Sequence, residues 1–265
     1  MKKISVMAIL IAAATVFTIE AGCSDQVRIN SNRNYTSRTV DDITAPFDAI
    51  EVTGSIDVEY SVSPNVQIMV YGPDNIIPLV EVTSAGGVLK VKLKDKVMIV
   101  GDHDTRVIVA APAIKSARVS GSGDVKLRGP IQATGFDIGI TGSGDVECHG
   151  LTCENLTVAL KGSGDAEVKG VICTDVRASI DGSGDIELGG TASKAELTVK
   201  GSGDIDADDL VAETVIARVN GSGDISCHAT SSLTADVSGS GEIEYRGNPG
   251  QLNLTGRKGA IRRDM

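Results

Sequence analysis

Seven carboxylates recur in one sequence context: Asp124, Asp145, Asp165, Asp185, Asp204, Asp224 and Glu242 each follow Gly-Ser-Gly. Such a row offers three chemistries. Carboxylate oxygens are hard ligands that suit a row of Ca²⁺ ions. Two of them beside a basic partner are the equipment of a polysaccharide hydrolase or lyase. Each could instead accept hydrogen bonds from the Ser or Gly backbone N–H groups at its own corner, with the glycines supplying positive φ and close backbone approach. Spacing bears on all three. The first glycines stand at 121, 142, 162, 182, 201, 221 and 239, in steps of 21, 20, 20, 19, 20 and 18 residues. That is not the G-G-x-G-x-D nonapeptide of Ca²⁺-binding β-rolls. Acids repeated uniformly along a chain also do not converge on one cleft, as a catalytic pair must. A structural corner is the leading reading, Ca²⁺ is the only cofactor left open, and no catalytic residue is assigned.

The elements that carry these acids follow from the residues around them. Two positions before the first Gly stand Val119, Ile140, Leu160, Ile180, Val199, Val219 and Val237; four after it stand Val125, Val146, Ala166, Ile186, Ile205, Ile225 and Ile243. Six after it come Leu127, Cys148, Val168, Leu188, Ala207, Cys227 and Tyr245, with polar residues between. Alternation of this kind makes strands with one face inward. A second turn signal falls about eight residues after the motif, in RGP, HGL, KGV, GGT and GNP. Two turns per 20 residues also fit a meander of hairpins. Like residues repeat at one coil's distance, however, which favours an all-β, right-handed parallel β-helix of about 20 residues per coil, each column stacked at about 4.8 Å. The carboxylates then form one ladder, whose neighbours repel by roughly 0.9 kcal/mol in water and about 3.5 at an effective dielectric of 20. The ladder must be wet or neutralised.

The coil arrangement also disposes of other reactive residues. Arg118 and Arg218 face outward about five coils apart and make no common site with the acids. His149 and His228 each follow an inward Cys and lie about 19 Å apart, too far for a shared metal. His103, in GDHDT, could join Asp102 and Asp104 in a weak metal site or lie in a solvated loop. Cys148 and Cys227 fall in apolar columns as buried thiols. Cys153 and Cys173 share a column on adjacent coils, where a disulfide is open in an oxidising compartment if their Cβ atoms move closer.

Composition agrees with a thin aliphatic core: of 265 residues 41% are hydrophobic, 3% aromatic and none Trp, with 31 Gly. The net charge of −10 excludes a nucleic-acid partner, because phosphate binding needs a basic stripe. Residues 1–22 read as a signal peptide, with Lys2 and Lys3 before an apolar run from Ile4 to Ile19 that is too short to span a bilayer. Ala21-Gly22-Cys23 matches the end of a lipobox, although Glu20 departs from it, so Cys23 is the expected lipid attachment point. Residues 23–44, polar and without apolar period, read as a flexible tether. Residues 45–112 form an N-terminal β region with strands in FDAIEVTGSIDVEY, NVQIMVY, GGVLKVKLK and TRVIVAA. Residues 113–265 form the repeat region and a terminal cap. TGSID at Gly54 marks an earlier coil, Ile261 lies under Ile243, and Arg257, Lys258, Arg262 and Arg263 make a charged end that discourages edge growth.

The FDAIEVTGSIDVEY opening, GGVLKVKLK, the RVIVAAPAIKSARVSGSGDV junction and the repeated GSGD resemble the auto-transporter adhesin family with the head GIN domain, over nearly all the mature chain. The resemblance implies a right-handed β-helix in an exported or lipid-anchored protein of gut-type Bacteroidetes, with no catalytic residues to carry over. The expected protein is a non-enzymatic lipoprotein of the outer membrane or cell surface, with the periplasm also open. It would present a rigid surface to a protein or charged polymer of the envelope or host, and touch the membrane only through its lipid. A Ca²⁺-stabilised envelope scaffold and a polysaccharide lyase or hydrolase are the alternatives.

Overall fold

The computed structural model describes residues 27–101 and 103–264. The signal segment, Cys23 and Asp102 lie outside the described residues. Strands wind into a β-solenoid of about seven turns with about 20 residues per coil. Among the described residues no helix is long and apolar enough to cross a membrane.

The N-terminal strands are β1 (Val27–Asn30), β2 (Tyr35–Thr39), β3 (Phe47–Gly54), β4 (Asp57–Val62), β5 (Gln67–Pro73), β6 (Val80–Ala85), β7 (Gly87–Leu93), β8 (Val97–Val100), β9 (Arg106–Ala111) and β10 (Ser116–Gly121). Six strands then run most of a coil each, from one Gly-Ser-Gly corner to the next: β11 (Val125–Gly142), β12 (Val146–Gly162), β13 (Ala166–Gly182), β14 (Ile186–Gly201), β15 (Ile205–Gly221) and β16 (Ile225–Gly239). The last coil is broken into β17 (Ile243–Arg246), β18 (Gln251–Thr255) and β19 (Ile261–Arg263).

Neighbouring coils pair in parallel, with each first glycine opposite the next from Gly54 and Gly121 through to Gly239. The period-two columns point inward as the sequence predicts: Val125, Val146, Ala166, Ile186, Ile205, Ile225 and Ile243 are all buried. Register shifts fall at the second corner, between Arg128 and Ile131, Val168 and Val171, Glu187 and Gly190, and Ala207 and Val211. Most of the variation in repeat length is therefore absorbed there as bulges, while the Gly-Ser-Gly corner stays in strict register. Cys153 and Cys173 face each other beside that corner, with Cα atoms 5.0 Å apart, and form a disulfide.

Two boundaries differ from the sequence reading. The stretch 23–44 is not all tether, because β1 pairs in parallel with β8 and β2 pairs antiparallel with β5. β2 is exposed along its whole length, so backbone hydrogen bonds hold it and no apolar alternation announces it. The repeat region also begins before 113: as TGSID at Gly54 predicts, an earlier coil stacks on it, with β3 paired to β10 and β4 to β11, so the first coil of the solenoid is residues 47–62. β5 to β9 make an excursion that lays β7 and β9 beneath that coil before β10 returns on top of it. Ile261 does lie opposite Ile243, as the terminal repeat predicts.

Candidate functional site

The acid flank is built by the corner. Ser163 and Gly164 both donate their N–H groups to the carbonyl of Gly142, one coil back, at 2.9 and 3.2 Å, and the same fork recurs at every corner. A Cβ on Gly162 or Gly164 would run into the carbonyl oxygen of Gly142 or Gly144, and Gly162 holds φ at +130°. Only glycine fits both places. The third position can be Ile56 in the first coil because the layer beneath it is the longer connection between β7 and β9, not another such corner.

With the glycine carbonyl occupied twice, the next N–H of each corner needs another acceptor. The Asp carboxylate of the preceding coil supplies it. Asp124 N–H donates to Asp57 Oδ1 at 2.9 Å, Asp145 to Asp124 at 3.0, Asp165 to Asp145, Asp185 to Asp165 and Asp204 to Asp185 at 2.8 each, and Asp224 to Asp204 and Glu242 to Asp224 at 2.7. This corrects the sequence reading, which had each Asp accept from the Ser and Gly of its own corner. Those N–H groups point at the neighbouring coil's carbonyl, and parallel stacking brings the next coil's Asp N–H within reach instead. A charge-assisted bond contributes about 1.5–3 kcal/mol, enough to offset the screened repulsion along a wet ladder.

Both ends of the ladder are special. Asp57 begins it. Its carboxyl is pushed above the usual range, first by burial, with the charges of Asp124 and Asp104 adding to the shift and the Asp124 N–H opposing it. Glu242 ends it. Ala260 holds the next position, and its N–H turns back to the Arg257 carbonyl at 3.1 Å. The Glu242 carboxylate meets Arg262 at 2.6 Å and Arg257 at 3.7 Å, while Arg257 also donates to the Ser240 and Gly241 carbonyls at 2.6 and 3.2 Å. Sequence reading took these arginines only as a charged end. One signal was available: the last acid alone is Glu, one methylene longer, and it alone must reach a side-chain cation.

A second acid column, Glu147, Glu167, Glu187 and Asp206, runs two residues further along β12 to β15, and Arg128 and Lys169 of a third column pair with its glutamates. Glu147 meets Arg128 at 2.7 Å and His149 at 2.8 Å; Lys169 bridges Glu167 and Glu187 at 2.8 and 2.9 Å. Burial works against ionised Glu147, but the hydrogen bond and charge of Arg128, with His149 and Lys126, hold its carboxyl below the usual range. Asp124 to Asp224, by contrast, make no ion pair among the described residues. Between the two columns lies a groove of about 510 Å³, walled by Asp124, Asp145, Asp165, Asp185 and Asp204 on one side and by Lys126, Glu147, Glu167, Glu187 and Asp206 on the other.

The remaining candidates stay apart. Among the described residues no three His, Cys, Asp or Glu side chains are grouped so as to hold a metal ion. Near His103, Asp104 turns to Arg106 at 3.7 Å. Arg118 and Arg218 occupy one column five coils apart, and Arg218 pairs with Glu196 at 2.9 Å. Cys148 and Cys227 are buried free thiols whose pKa values burial raises to about 12.

Stacked coils, a strict glycine corner and acids spread evenly along one flank define, among the described residues, a solenoid with a repeated surface. The chain belongs to the family described as "Putative auto-transporter adhesin, head GIN domain", which matches residues 46–174 and 150–249. Its fold is that of a "Putative lipid binding protein" from Parabacteroides distasonis ATCC 8503, 28% identical with a TM-score of 0.83 over 90% of this chain and 100% of the other. A "putative adhesin" from the same organism is 26% identical, with a TM-score of 0.82 over 90% and 100%. Another from Parabacteroides merdae ATCC 43184, 24% identical, shares the fold with a TM-score of 0.81 over 90% and 99%. No curated protein matches the chain.

Proposed function

We propose that this is an exported, non-enzymatic lipoprotein, anchored through Cys23, that presents a rigid solenoid flank for adhesion to a protein or charged polymer of the cell envelope or a host surface. The observation that carries the reading is the even repetition of the acid flank. Identical corners locked coil to coil make a long surface of fixed spacing, suited to many weak polar contacts along an extended partner, whereas catalysis needs unlike groups gathered at one point. Family membership supports an extracellular or surface location. The outer membrane or cell surface suits that role, with the periplasm as the other compartment a lipid anchor serves. The acid ladder is structural in this reading, since one oxygen of each carboxylate is already committed to the next coil.

The test is a binding array of glycans and extracellular proteins probed with the purified chain, run beside a polysaccharide depolymerisation screen. Saturable binding to an array member without release of sugar products is the expected result. Depolymerisation of any polysaccharide would overturn the reading.

A further inference from the structure

The C-terminal end of the solenoid is closed on one face and open on another. β19 lies on β17, but β18 pairs in register only with β16, and its far edge carries no paired strand among the described residues. Leu252 and Leu254 stand opposite Leu233 and Ala235, which are each 1% exposed. In the last coil the leucines are 50% and 43% exposed. The core columns thus end on two uncovered apolar side chains beside a row of free backbone donors and acceptors. An edge in that state is a template for another strand.

Charge indicates what that strand carries. Arg257, Arg262 and Arg246 are held by Glu242, Glu244, Asp208 and Asp264. Lys258 and Arg263 meet no carboxylate among the described residues, on a chain whose net charge is −10. Arg263 stands opposite Tyr245, in a core column, so its charge lies at the end of the stack.

We propose that this end docks an extended, acidic polypeptide segment of a partner, added as a strand to the free edge of β18. Alternate apolar side chains of the segment cover Leu252 and Leu254, and its carboxylates meet Lys258 and Arg263. Backbone pairing supplies affinity in this mode, while side-chain pockets and charge supply selectivity. A second copy docked end to end fits less well, since it sets the same unpaired cations against each other. The edge lies apart from the acid groove, and the proposal does not depend on the adhesion reading.

The test measures fluorescence anisotropy of a labelled nonapeptide, Glu-Glu-Val-Thr-Val-Thr-Val-Glu-Glu, against the full chain in detergent, beside a counterpart with lysines at the ends. Saturable binding of the acidic peptide alone is expected. Leu252→Ser with Leu254→Ser should weaken it by about tenfold or more, and Lys258→Glu with Arg263→Glu should transfer the preference to the lysine peptide. The leucines project from the surface, so circular dichroism and melting temperature should match the parent chain. Absence of acidic-peptide binding, or equal binding by the variants, would overturn the proposal. So would sedimentation showing a dimer that the leucine substitutions abolish, because the edge would then serve a second copy.

Discussion

Asp165 shows what the repeated acid does. Its carboxylate accepts the Asp185 N–H at 2.8 Å while its own N–H goes to Asp145. An amide oxygen can take over that acceptor role, and a methyl group cannot. Asp165→Asn is therefore expected to melt at or above the parent temperature, since it keeps the bond and removes one of a row of like charges. Asp165→Ala should lose about 1–3 kcal/mol by leaving the Asp185 N–H without its acceptor; parallel denaturant titrations check both. Asp57, at the foot of the ladder, carries the opposite burden. Its folded pKa is raised chiefly by burial, so the stability linked to it is full below the unfolded pKa and is lost as pH rises through the folded one. Asp57→Asn should raise the melting temperature at pH 7, with the gain shrinking as pH falls through the raised pKa. Melts at pH 7 and pH 4 measure this.

At the scale of elements, the two corners of each coil divide the work. The glycine corner admits no side chain and keeps register; the second corner takes up bulges and carries the Cys153–Cys173 clip between adjacent coils. Of the described cysteines, two thiols should be titratable after denaturation without reductant, Cys148 and Cys227, and neither should react in the native state because burial lifts both to about 12. Four titratable thiols among these residues would disprove the clip. The coil strands were legible because side chains of alternating polarity face alternate sides, and the stacking was legible in the period near 20. β2 was not, since a strand wet on both faces leaves no apolar alternation. The column from Asp124 to Glu242 is legible in the sequence, but Asp57 at its foot is not, because its corner reads Gly-Ser-Ile-Asp, and the bonding expected from one repeat lies within one corner. Which N–H a carboxylate meets depends on the neighbouring coil, 20 residues away, and a single repeat does not display it.

As a whole molecule the chain is a stack in which each layer supplies the hydrogen bonds of the next, from Asp57 to the arginine clasp on Glu242. Nearest-neighbour coupling of this kind makes an interior coil depend on both its neighbours, while the last coil depends on one. A rigid flank, and with it a surface of fixed spacing, follows from that coupling. Hydrogen exchange followed residue by residue tests it most directly. The Ser, Gly and Asp amides of the interior corners, though they sit at exposed turns, should exchange as slowly as the amides of β12 to β15, and those of β18 and β19 should exchange faster. Corner amides exchanging at the rates of free loops while the strands stay protected would contradict the account, because the layers would not then be interlocked along their acid edge.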